Sequence, residues 1–348
     1  MTARGPNTGA RWEFQSRSEP ERWVVWLPLG SHTTRCSQMP RPFRFGITLG
    51  GAPSRTELVE MVKQAEGSGF SVAATADHIS DRHAVFPLLS TIAEVSSMRV
   101  SSMVIANDYH HPIGVARDAA TLDILSEGRF ELGIGTGWIK AQYDAAGLPY
   151  DDGRTKVDRF EEAIEVIKGC WAGSPFTFAG EHYQVTGVAC PRPVQVPRPP
   201  ILIAGSGRRM LGIAGREADI VGISGLGRVA TRFADFGKGL GTSAARIDRQ
   251  IEWIRQGAGA RFAQIEISVM AHHLDPDPDF DSVAVRLAGE WGTTPDDVLR
   301  SPHVFLGDEK RLRDSIVERR ERHGISYFVF LGAQLPHVAK VVESLVGE

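Results

Sequence analysis

His78 is the first residue that could do chemistry, and it follows Asp77 directly after an apolar run over residues 70–75. An imidazole titrates near neutral pH, so a histidine can give and take a proton under ordinary conditions. A neighbouring carboxylate such as that of Asp77 raises the basicity of the ring. The pair therefore predicts acid–base catalysis, and the alternative is that both residues simply cap the helix that follows.

A second candidate site is the run Gly205-Ser206-Gly207-Arg208-Arg209, which separates a predicted strand from a predicted helix. Backbone N–H groups at the start of a helix attract anions, and glycines leave those groups uncovered. Two guanidinium groups add charge-assisted hydrogen bonds. The run therefore predicts a phosphate site, whereas a bare glycine turn would only reverse the chain.

The stretch over residues 128–138 reads GRFELGIGTGW and ends in three alternate glycines followed by Trp138. A strand whose last residues lack side chains lets a flat molecule lie against its backbone. The spacing departs from the G-x-G-x-x-G fingerprint, which argues against a dinucleotide-binding fold of the NAD type. Trp138 is either a wall of the pocket or an ordinary buried aromatic residue. Asn107, at the end of another predicted strand, either ends that strand or bonds the edge of a bound ring.

Two histidine pairs, His110-His111 and His272-His273, invite interpretation as a metal site. Neighbouring residues on a strand point to opposite faces, so such a pair seldom supplies two ligands to one ion. No supporting pattern of carboxylates accompanies them in the sequence. The sequence therefore predicts no metal site.

The composition describes an ordinary globular chain of 348 residues, with 42% hydrophobic and 23% charged residues. A net charge of −3 gives no electrostatic reason to expect nucleic acid or an anionic membrane as the main partner. No stretch approaches the roughly 20 apolar residues of a membrane span. Three widely spaced cysteines without a C-x-x-C pair favour a reducing cytoplasm over a disulfide framework or a zinc site.

The hydrophobic pattern predicts about eight strands that alternate with helices. This alternation predicts a parallel (β/α)8 TIM barrel of the α/β class, with a doubly wound open sheet as the alternative. Residues 99–106 and 264–271 are each predicted to form one continuous strand. A hairpin is predicted as an insertion over residues 176–196, and residues 139–154 and 224–242 are predicted to form long loops.

Barrel enzymes carry their chemistry at the carboxyl ends of the strands. Those ends all face one side of a barrel, so residues far apart in the sequence can share a pocket. The rule selects Asp77, His78, Asn107, residues 135–138, residues 205–209, His272 and His273.

Residues 1–40 mix arginine, serine, proline, glycine and threonine without periodicity, which predicts a disordered leader ahead of a single domain over residues 41–348. The apolar block from Trp23 to Leu27 is too short for a signal peptide. Met39, just before the first predicted strand, is an alternative translation start.

Taken together, these motifs resemble the luciferase-like monooxygenase superfamily over almost the whole length from Phe43 to Val346. The resemblance implies a (β/α)8 barrel that binds FMN or the deazaflavin coenzyme F420. Within the superfamily, the sequence is most similar to the actinobacterial branch of F420-dependent oxidoreductases. The resemblance is carried by residues 111–112, 119–123, 125–133, 135–138, 205–209 and 218–219.

The resemblance to the F420-dependent branch implies roles for individual residues. His78 would exchange a proton with substrate or cofactor, and Asp77 would position it. A non-proline cis peptide is implied near Met103-Val104, in a bulge of the third strand. The implied cofactor contacts are Met103, Val104, Asn107, Thr136, Gly137 and Trp138 around the ring, and Gly205, Ser206, Gly207, Arg208 and Arg209 at the phosphate.

The function implied by this resemblance is hydride transfer between F420 and an organic small-molecule substrate in the cytoplasm. Trp138 stands where the sugar-phosphate dehydrogenase of the superfamily has a glutamate, so a sugar phosphate is not the expected substrate. Two alternatives remain, a two-component monooxygenase that uses reduced FMN and a non-catalytic barrel that only holds flavin. Members of the superfamily are often dimers, so a second copy of the chain is a further expected partner.

Overall fold

The computed structural model describes residues 41–173, 175–225 and 244–348. The leader predicted over residues 1–40, with the alternative start at Met39, lies outside the described residues, and so does most of the loop predicted over residues 224–242. Within the described part of the chain, no helix has the length and apolar character needed to cross a membrane.

Strands and helices follow one another along the described chain. In order, strands β1 to β13 are Arg44–Thr48, Val72–Thr75, Arg99–Ser102, Ile105–Ala106, Phe130–Gly135, Phe176–Ala179, Gln184–Val188, Ile201–Gly205, Ile220–Ile223, Glu266–Met270, His273–Asp275, Val304–Leu306 and Ile325–Leu331. Helices α1 to α11 are Arg55–Gly67, Val85–Val95, Pro112–Leu125, Lys140–Ala146, Gly153–Trp171, Arg208–Glu217, Ala244–Ala258, Phe280–Trp291, Pro295–Arg300, Glu309–His323 and Leu335–Leu345. Short 3-10 helices cover Asn107–Tyr109, Gly259–Gln264 and Gly332–Gln334.

The parallel strands of the largest sheet close on themselves. Their order is β3-β2-β1-β13-β10-β9-β8-β5-β4, and β3 also pairs with β5, for example between Val100 and Phe130. Because β3 and β4 share one position, the sheet has eight positions and forms a closed barrel. The predicted (β/α)8 barrel is confirmed, and the open doubly wound alternative is wrong.

The prediction of one continuous strand over residues 99–106 is wrong. The chain forms two short strands there, β3 and β4, which together occupy the third position of the barrel. A cis peptide joins Met103 to Val104 between β3 and β4, as the resemblance implied. The Ser102 hydroxyl donates to the Gly133 carbonyl at 2.8 Å and accepts from the Gly133 N–H at 2.9 Å. The strand is broken here because a side chain takes the place of backbone pairing with the neighbouring strand.

Three other predicted elements are tested by the structure. The strand predicted over residues 264–271 is shorter, because a 3-10 helix runs to Gln264 and β10 begins at Glu266. The loop predicted over residues 139–154 contains α4, which ends at Gly147 in the left-handed conformation. Seven residues are too few for the helical period to stand out in a sequence. The inserted hairpin is confirmed as the antiparallel pair β6–β7.

A network of buried glutamates and half-buried arginines closes the amino ends of the strands. Arg44, at the start of β1, bonds Glu131 at 2.8 Å and Glu266 at 2.6 Å. Arg99, at the start of β3, bonds Glu131 at 2.5 Å, and the Arg44 guanidinium also lies over the Tyr327 ring. Buried charges are tolerated when they are paired in this way. The bottom of the barrel is therefore filled, and the large cavity of the fold lies at the carboxyl ends.

Candidate active site

A cavity of about 1070 Å³ occupies the carboxyl ends of the barrel strands. That volume is at the upper end for small-molecule sites, so it has room for a cofactor and a substrate together. Its walls include twelve of the thirteen residues predicted for catalysis or cofactor contact, namely Asp77, His78, Met103, Val104, Thr136, Gly137, Trp138, Gly205, Ser206, Gly207, Arg208 and Arg209. Residues that the sequence analysis did not single out also line it, among them Arg82, Tyr109, Gln142, Tyr150, Lys156, Arg246 and Arg249.

Asn107, whose contact with a bound ring stays a prediction, is the exception and does not line the cavity. Its side chain is fully buried, and its Nδ2 atom donates to the Tyr183 hydroxyl at 3.3 Å. Ala106, the preceding residue, lines the cavity instead. Asn107 begins a turn of 3-10 helix, which directs its side chain into the protein rather than along the strand axis.

His78 is half-buried in the cavity wall, just beyond the end of β2. Its Nδ1 atom lies 3.4 Å from Nε2 of Gln142 on α4. Burial is the largest influence on the pKa of His78 and lowers it, while the raising effect of the Asp77 charge is the smallest of the influences. The Asp77 charge does raise the pKa of this ring, as expected, but burial outweighs that effect and the net pKa is lowered. Desolvation dominates and favours the neutral imidazole at pH 7.

Asp77 makes its short contacts to Ala106, the last residue of β4, and to His110, which follows that strand. Its Oδ2 atom accepts a hydrogen bond from the Ala106 N–H at 3.1 Å and lies 2.8 Å from Nε2 of His110. The carboxylate thus joins the end of β2 to the end of β4. This joint fixes the backbone that carries His78, so Asp77 can position the histidine through the loop.

The cavity wall beside His78 is built by α4 and two neighbouring tyrosines. Gln142 accepts a hydrogen bond from the Tyr109 hydroxyl at 3.1 Å. The Tyr143 hydroxyl donates to Asp108 at 2.9 Å, and the Tyr143 ring meets the Tyr150 ring edge-on at 4.8 Å. Sequence reasoning missed these residues because it treated α4 as part of a loop.

A flat part of the wall follows β5, where residues 136–138 continue from the last glycine of the strand. Gly137 has a φ of 84°, a left-handed conformation that favours glycine. A side chain at Gly137 would also overlap the Tyr143 hydroxyl. Glycine is therefore required at this position, and the backbone stays open to a flat ligand.

The start of α6 lies at the cavity, where the sequence predicts a phosphate site. Gly207 is the N-cap of this helix and supplies no side chain to the N–H groups of the first turn. Arg208 forms no ion pair with any described residue, so its guanidinium is available to a ligand. Arg209, by contrast, bonds Asp158 at 2.5 Å and Glu161 at 3.2 Å on α5. The two arginines of the predicted phosphate site are thus not equivalent.

Two further arginines, Arg246 and Arg249, reach the same cavity from the start of α7. Gln250 holds this helix against the glycine loop, because its Nε2 atom donates to the Ser206 carbonyl at 3.1 Å. Among the described residues, neither arginine has an ion-pair partner. Burial, with a smaller effect of the Arg249 charge, lowers the pKa of Arg246. The i, i+3 spacing of arginines at the start of a predicted helix could have revealed them.

The two histidines at the end of β10 face different surroundings. His272 lines the cavity and stacks on His303, with ring centres 5.2 Å apart. The His273 ring instead meets Trp291 edge-on. Within the described ranges no group of three histidine, cysteine or acidic side chains is placed to hold a metal ion.

The cavity therefore combines three features along one wall. An uncapped helix start with unpaired arginines suits a phosphate or other anion. A glycine-lined surface suits a flat ring, and a neutral histidine can exchange a proton beside it. This arrangement fits a nucleotide-like cofactor with an aromatic ring, bound next to an organic substrate.

Comparisons with known proteins identify the family of this chain. Residues 39–271 match the family described as luciferase-like monooxygenase. The FMNH2-dependent dimethylsulfone monooxygenase of Pseudomonas putida is 26% identical over 77% of this chain and 69% of its own length. The F420-dependent hydroxymycolic acid dehydrogenase of Mycobacterium tuberculosis is 33% identical over 55% of this chain. The F420-dependent glucose-6-phosphate dehydrogenase of Beutenbergia cavernae is 34% identical over 49% of this chain.

The match covers about half the length of the two F420-dependent relatives, 56% and 54% respectively. Among solved structures, the coenzyme F420-dependent tetrahydromethanopterin reductase of Methanopyrus kandleri superposes with a TM-score of 0.68 at 21% identity, over 88% of this chain and 99% of that one. At this identity the superposition establishes the shared barrel fold.

Proposed function

Because the chain belongs to the luciferase-like monooxygenase family, we propose that it is an F420-dependent oxidoreductase that transfers a hydride between the deazaflavin and a small organic substrate. The curated relatives support an oxidoreductase, since they are F420-dependent dehydrogenases and FMN-dependent monooxygenases. The resemblance inferred from the sequence is confirmed at the level of the family.

The choice of F420 over FMN rests on one observation. Three arginines of the cavity have no ion-pair partner among the described residues. Arg208, Arg246 and Arg249 all line the cavity around the uncapped start of α6. FMN carries a single terminal phosphate, whereas F420 carries a phosphate and a tail of glutamyl carboxylates beyond it. Guanidinium groups pair well with both kinds of anion. Three such groups match the larger anionic charge of F420.

The residues present fit such a cofactor. A Cβ atom built on Gly207 would have no heavy atom within 4 Å, so the backbone there is open to a ligand. We assign the phosphate to the loop of Gly205, Ser206 and Gly207, with Arg208 as its charged partner. Arg209 supports this loop through its carboxylate partners on α5. When bound, F420 would supply the hydride acceptor or donor.

His78 is the proposed proton-exchanging residue. Its imidazole lies in the cavity wall, and burial keeps the ring neutral at ordinary pH. A neutral imidazole can take the proton that a substrate hydroxyl loses on oxidation, and it can return that proton in the opposite direction. Gln142, 3.4 Å from Nδ1, would hold the ring in its orientation. Thr136, Gly137, Trp138, Met103 and Val104 would form the surface against the cofactor ring.

A monooxygenase that uses reduced FMN is the second candidate. It is favoured by the dimethylsulfone monooxygenase relative, whose similarity extends over 77% of this chain. Such an enzyme would use the same phosphate loop. A cytoplasmic location and a homodimer remain proposals that rest on the resemblance to the superfamily.

Turnover in the absence of oxygen tests the proposal. The protein is incubated with oxidised F420 and a panel of alcohols, and with reduced F420 and a panel of ketones and enones, while F420 fluorescence is followed. Hydride transfer needs no oxygen, so anaerobic change of F420 supports the proposal. A reaction that occurs only with reduced FMN and oxygen would overturn it in favour of the second candidate.

A further inference from the structure

Lys156 is a buried cation in the wall of the active-site cavity. It lies in the first turn of α5, has 5% of its surface exposed and lines the cavity. Its Nζ atom lies 4.2 Å from the centre of the Tyr150 ring and 4.8 Å from that of Tyr143. Aromatic faces attract a cation, but they neutralise none of its charge.

The carboxylates nearest to Lys156 are already paired with another residue. Asp108 bonds Arg159 at 2.8 Å and also accepts from the Tyr143 hydroxyl, and Asp151 bonds Arg159 at 2.7 Å. Within the described part of the chain, the ammonium group of Lys156 forms no ion pair and no hydrogen bond. Burial lowers its pKa, which reflects the cost of keeping this charge away from water. An anionic ligand in the cavity would relieve that cost.

Lys156 is connected to the His78 side of the cavity. From His78 the contacts run to Gln142, from Gln142 to the Tyr109 hydroxyl, and from the Tyr109 ring to the Tyr143 ring at 5.1 Å. The Lys156 ammonium in turn lies over the Tyr143 ring. The lysine therefore belongs to the wall where we place the reacting part of the substrate.

The same helix separates Lys156 from the phosphate loop. Asp158, two residues further along α5, bonds Arg209 of that loop. Residues two apart on a helix lie about 200° apart around its axis, so their side chains point to nearly opposite sides. The loop is also already supplied with the unpaired Arg208. Lys156 is thus placed to bind something other than the cofactor phosphate.

We propose that Lys156 binds an anionic oxygen group of the substrate, so that the enzyme acts on an organic carboxylate, sulfonate or phosphate ester. Tyr150 and Trp138 line the adjacent wall, and the Tyr150 hydroxyl donates to the Trp138 carbonyl at 3.1 Å. These aromatic rings would pack against the apolar body of the substrate. The proposal rests on the proposed function, because it assigns the space beside the cofactor to a substrate.

Binding of small probe anions tests this assignment without a known substrate. Benzoate, benzenesulfonate, phenyl phosphate and the uncharged benzyl alcohol are titrated into the cofactor-free protein, and intrinsic tryptophan and tyrosine fluorescence is followed. We expect at least one anion to bind about tenfold more tightly than benzyl alcohol, as a charge-assisted hydrogen bond predicts. The anion that binds best identifies the oxygen group. Equal binding of all four probes would overturn the proposal.

Three variants separate Lys156 from general effects of charge and folding. Lys156→Met should weaken anion binding about tenfold and leave benzyl alcohol unchanged, and Lys156→Arg should restore most of the affinity. The matched control is Lys140→Met, which removes an exposed lysine that pairs with Asp144 and lies 5.9 Å from the same Tyr150 ring. Anion binding that survives in Lys156→Met, or falls equally in Lys140→Met, would contradict the assignment.

F420 titrations of the same variants distinguish a failure of this inference from a failure of the proposed function. Wild type and Lys156→Met should bind F420 with affinities that agree within about twofold. A loss of F420 binding in Lys156→Met would mean that the lysine serves the cofactor, which overturns the inference alone. A wild type that binds anions through Lys156 but does not bind F420 would overturn the proposed function alone.

Discussion

The Oδ2 atom of Asp77 lies 2.8 Å from Nε2 of His110, although His78 is the histidine beside it in the sequence. Asp77 also accepts from the Ala106 N–H and so joins the ends of two barrel strands. His78 has Gln142 within 3.4 Å and a pKa lowered mainly by burial. We therefore expect Asp77 to contribute to catalysis by fixing the backbone that carries His78, while desolvation sets the protonation state of the His78 ring.

Removal of the His78 side chain should separate catalysis from binding. General acid–base groups typically contribute about 100-fold to 10,000-fold, so we expect His78→Ala to lose at least about 100-fold in kcat. The affinity for F420 should stay within about twofold, since the proposed phosphate site at the start of α6 is unchanged. The control is His337→Ala, at an exposed position of α11. Full activity of His78→Ala would remove this residue from the mechanism, and no activity in wild type would favour the non-catalytic flavin-binding barrel.

The two arginines of the phosphate loop should differ in their effect on cofactor binding. Arg208 has no ion-pair partner among the described residues, so Arg208→Ala should weaken F420 binding about tenfold and reduce its salt dependence. Arg209 is held by Asp158 and Glu161, so Arg209→Ala should change the affinity by about twofold or less. The measurement is a fluorescence titration at low and high salt. Equal losses in the two variants would show that the carboxylates do not hold Arg209 away from the ligand.

Gly137 should be more sensitive to substitution than another glycine of the same conformation. Gly137→Ala adds left-handed backbone strain, roughly 1 kcal/mol, and an overlap with the buried Tyr143 hydroxyl that costs roughly another 1–3 kcal/mol. Gly147→Ala is the matched control, because Gly147 has a φ of 67° and a Cβ there would have no atom within 4 Å. The free energy of unfolding in urea measures both. Equal destabilisation would mean that Tyr143 moves aside without cost.

Stability should fall in acid through His303, which is fully buried beneath His272. Burial lowers the pKa of His303 to about 4, from an ordinary value of 6.5. The unfolded chain therefore binds a proton that the folded protein excludes between these values. The free energy of unfolding should drop by about 3 kcal/mol from this residue as the pH falls from about 6.5 to about 4, and change little from it below that.

His303→Asn isolates this contribution, since an amide can still donate to the Met270 carbonyl that His303 bonds at 3.0 Å. Unfolding in urea is measured across the pH range for both proteins, and the variant should show a shallower fall in acid. Parallel curves for wild type and variant would contradict the assigned pKa.

The sequence alone predicted the parts of the fold that depend on long periodic patterns and on position along a strand. The barrel follows from alternating strands and helices, and twelve of the thirteen predicted site residues line one cavity because parallel strands present their carboxyl ends on one side. Asn107 is the one of these thirteen residues outside the cavity lining, because a local turn that the sequence pattern does not show directs its side chain inward. The break after Ser102 depends on a side chain that bonds a strand neighbour far away in sequence.

Cavity residues that lie on helices could not be predicted from the rule that selects strand ends. Lys156, Arg246 and Arg249 reach the cavity from the first turns of helices, and only the tertiary structure shows which helices start beside the pocket. The pKa of His78 likewise depends on burial. The Asp77 charge raises this pKa, as its place in the sequence suggested, but burial outweighs that effect. Charge and desolvation oppose each other at this site, and their balance is a property of packing.

The preference of the cavity for F420 over FMN is tested by a parallel titration of the wild-type protein with both cofactors, followed by fluorescence at one salt concentration. Arg208, Arg246 and Arg249 offer more positive charge than one phosphate can use, so we predict that F420 binds at least about tenfold more tightly than FMN. Tighter binding of FMN would contradict the account and identify the protein as a flavin-dependent enzyme of the same family.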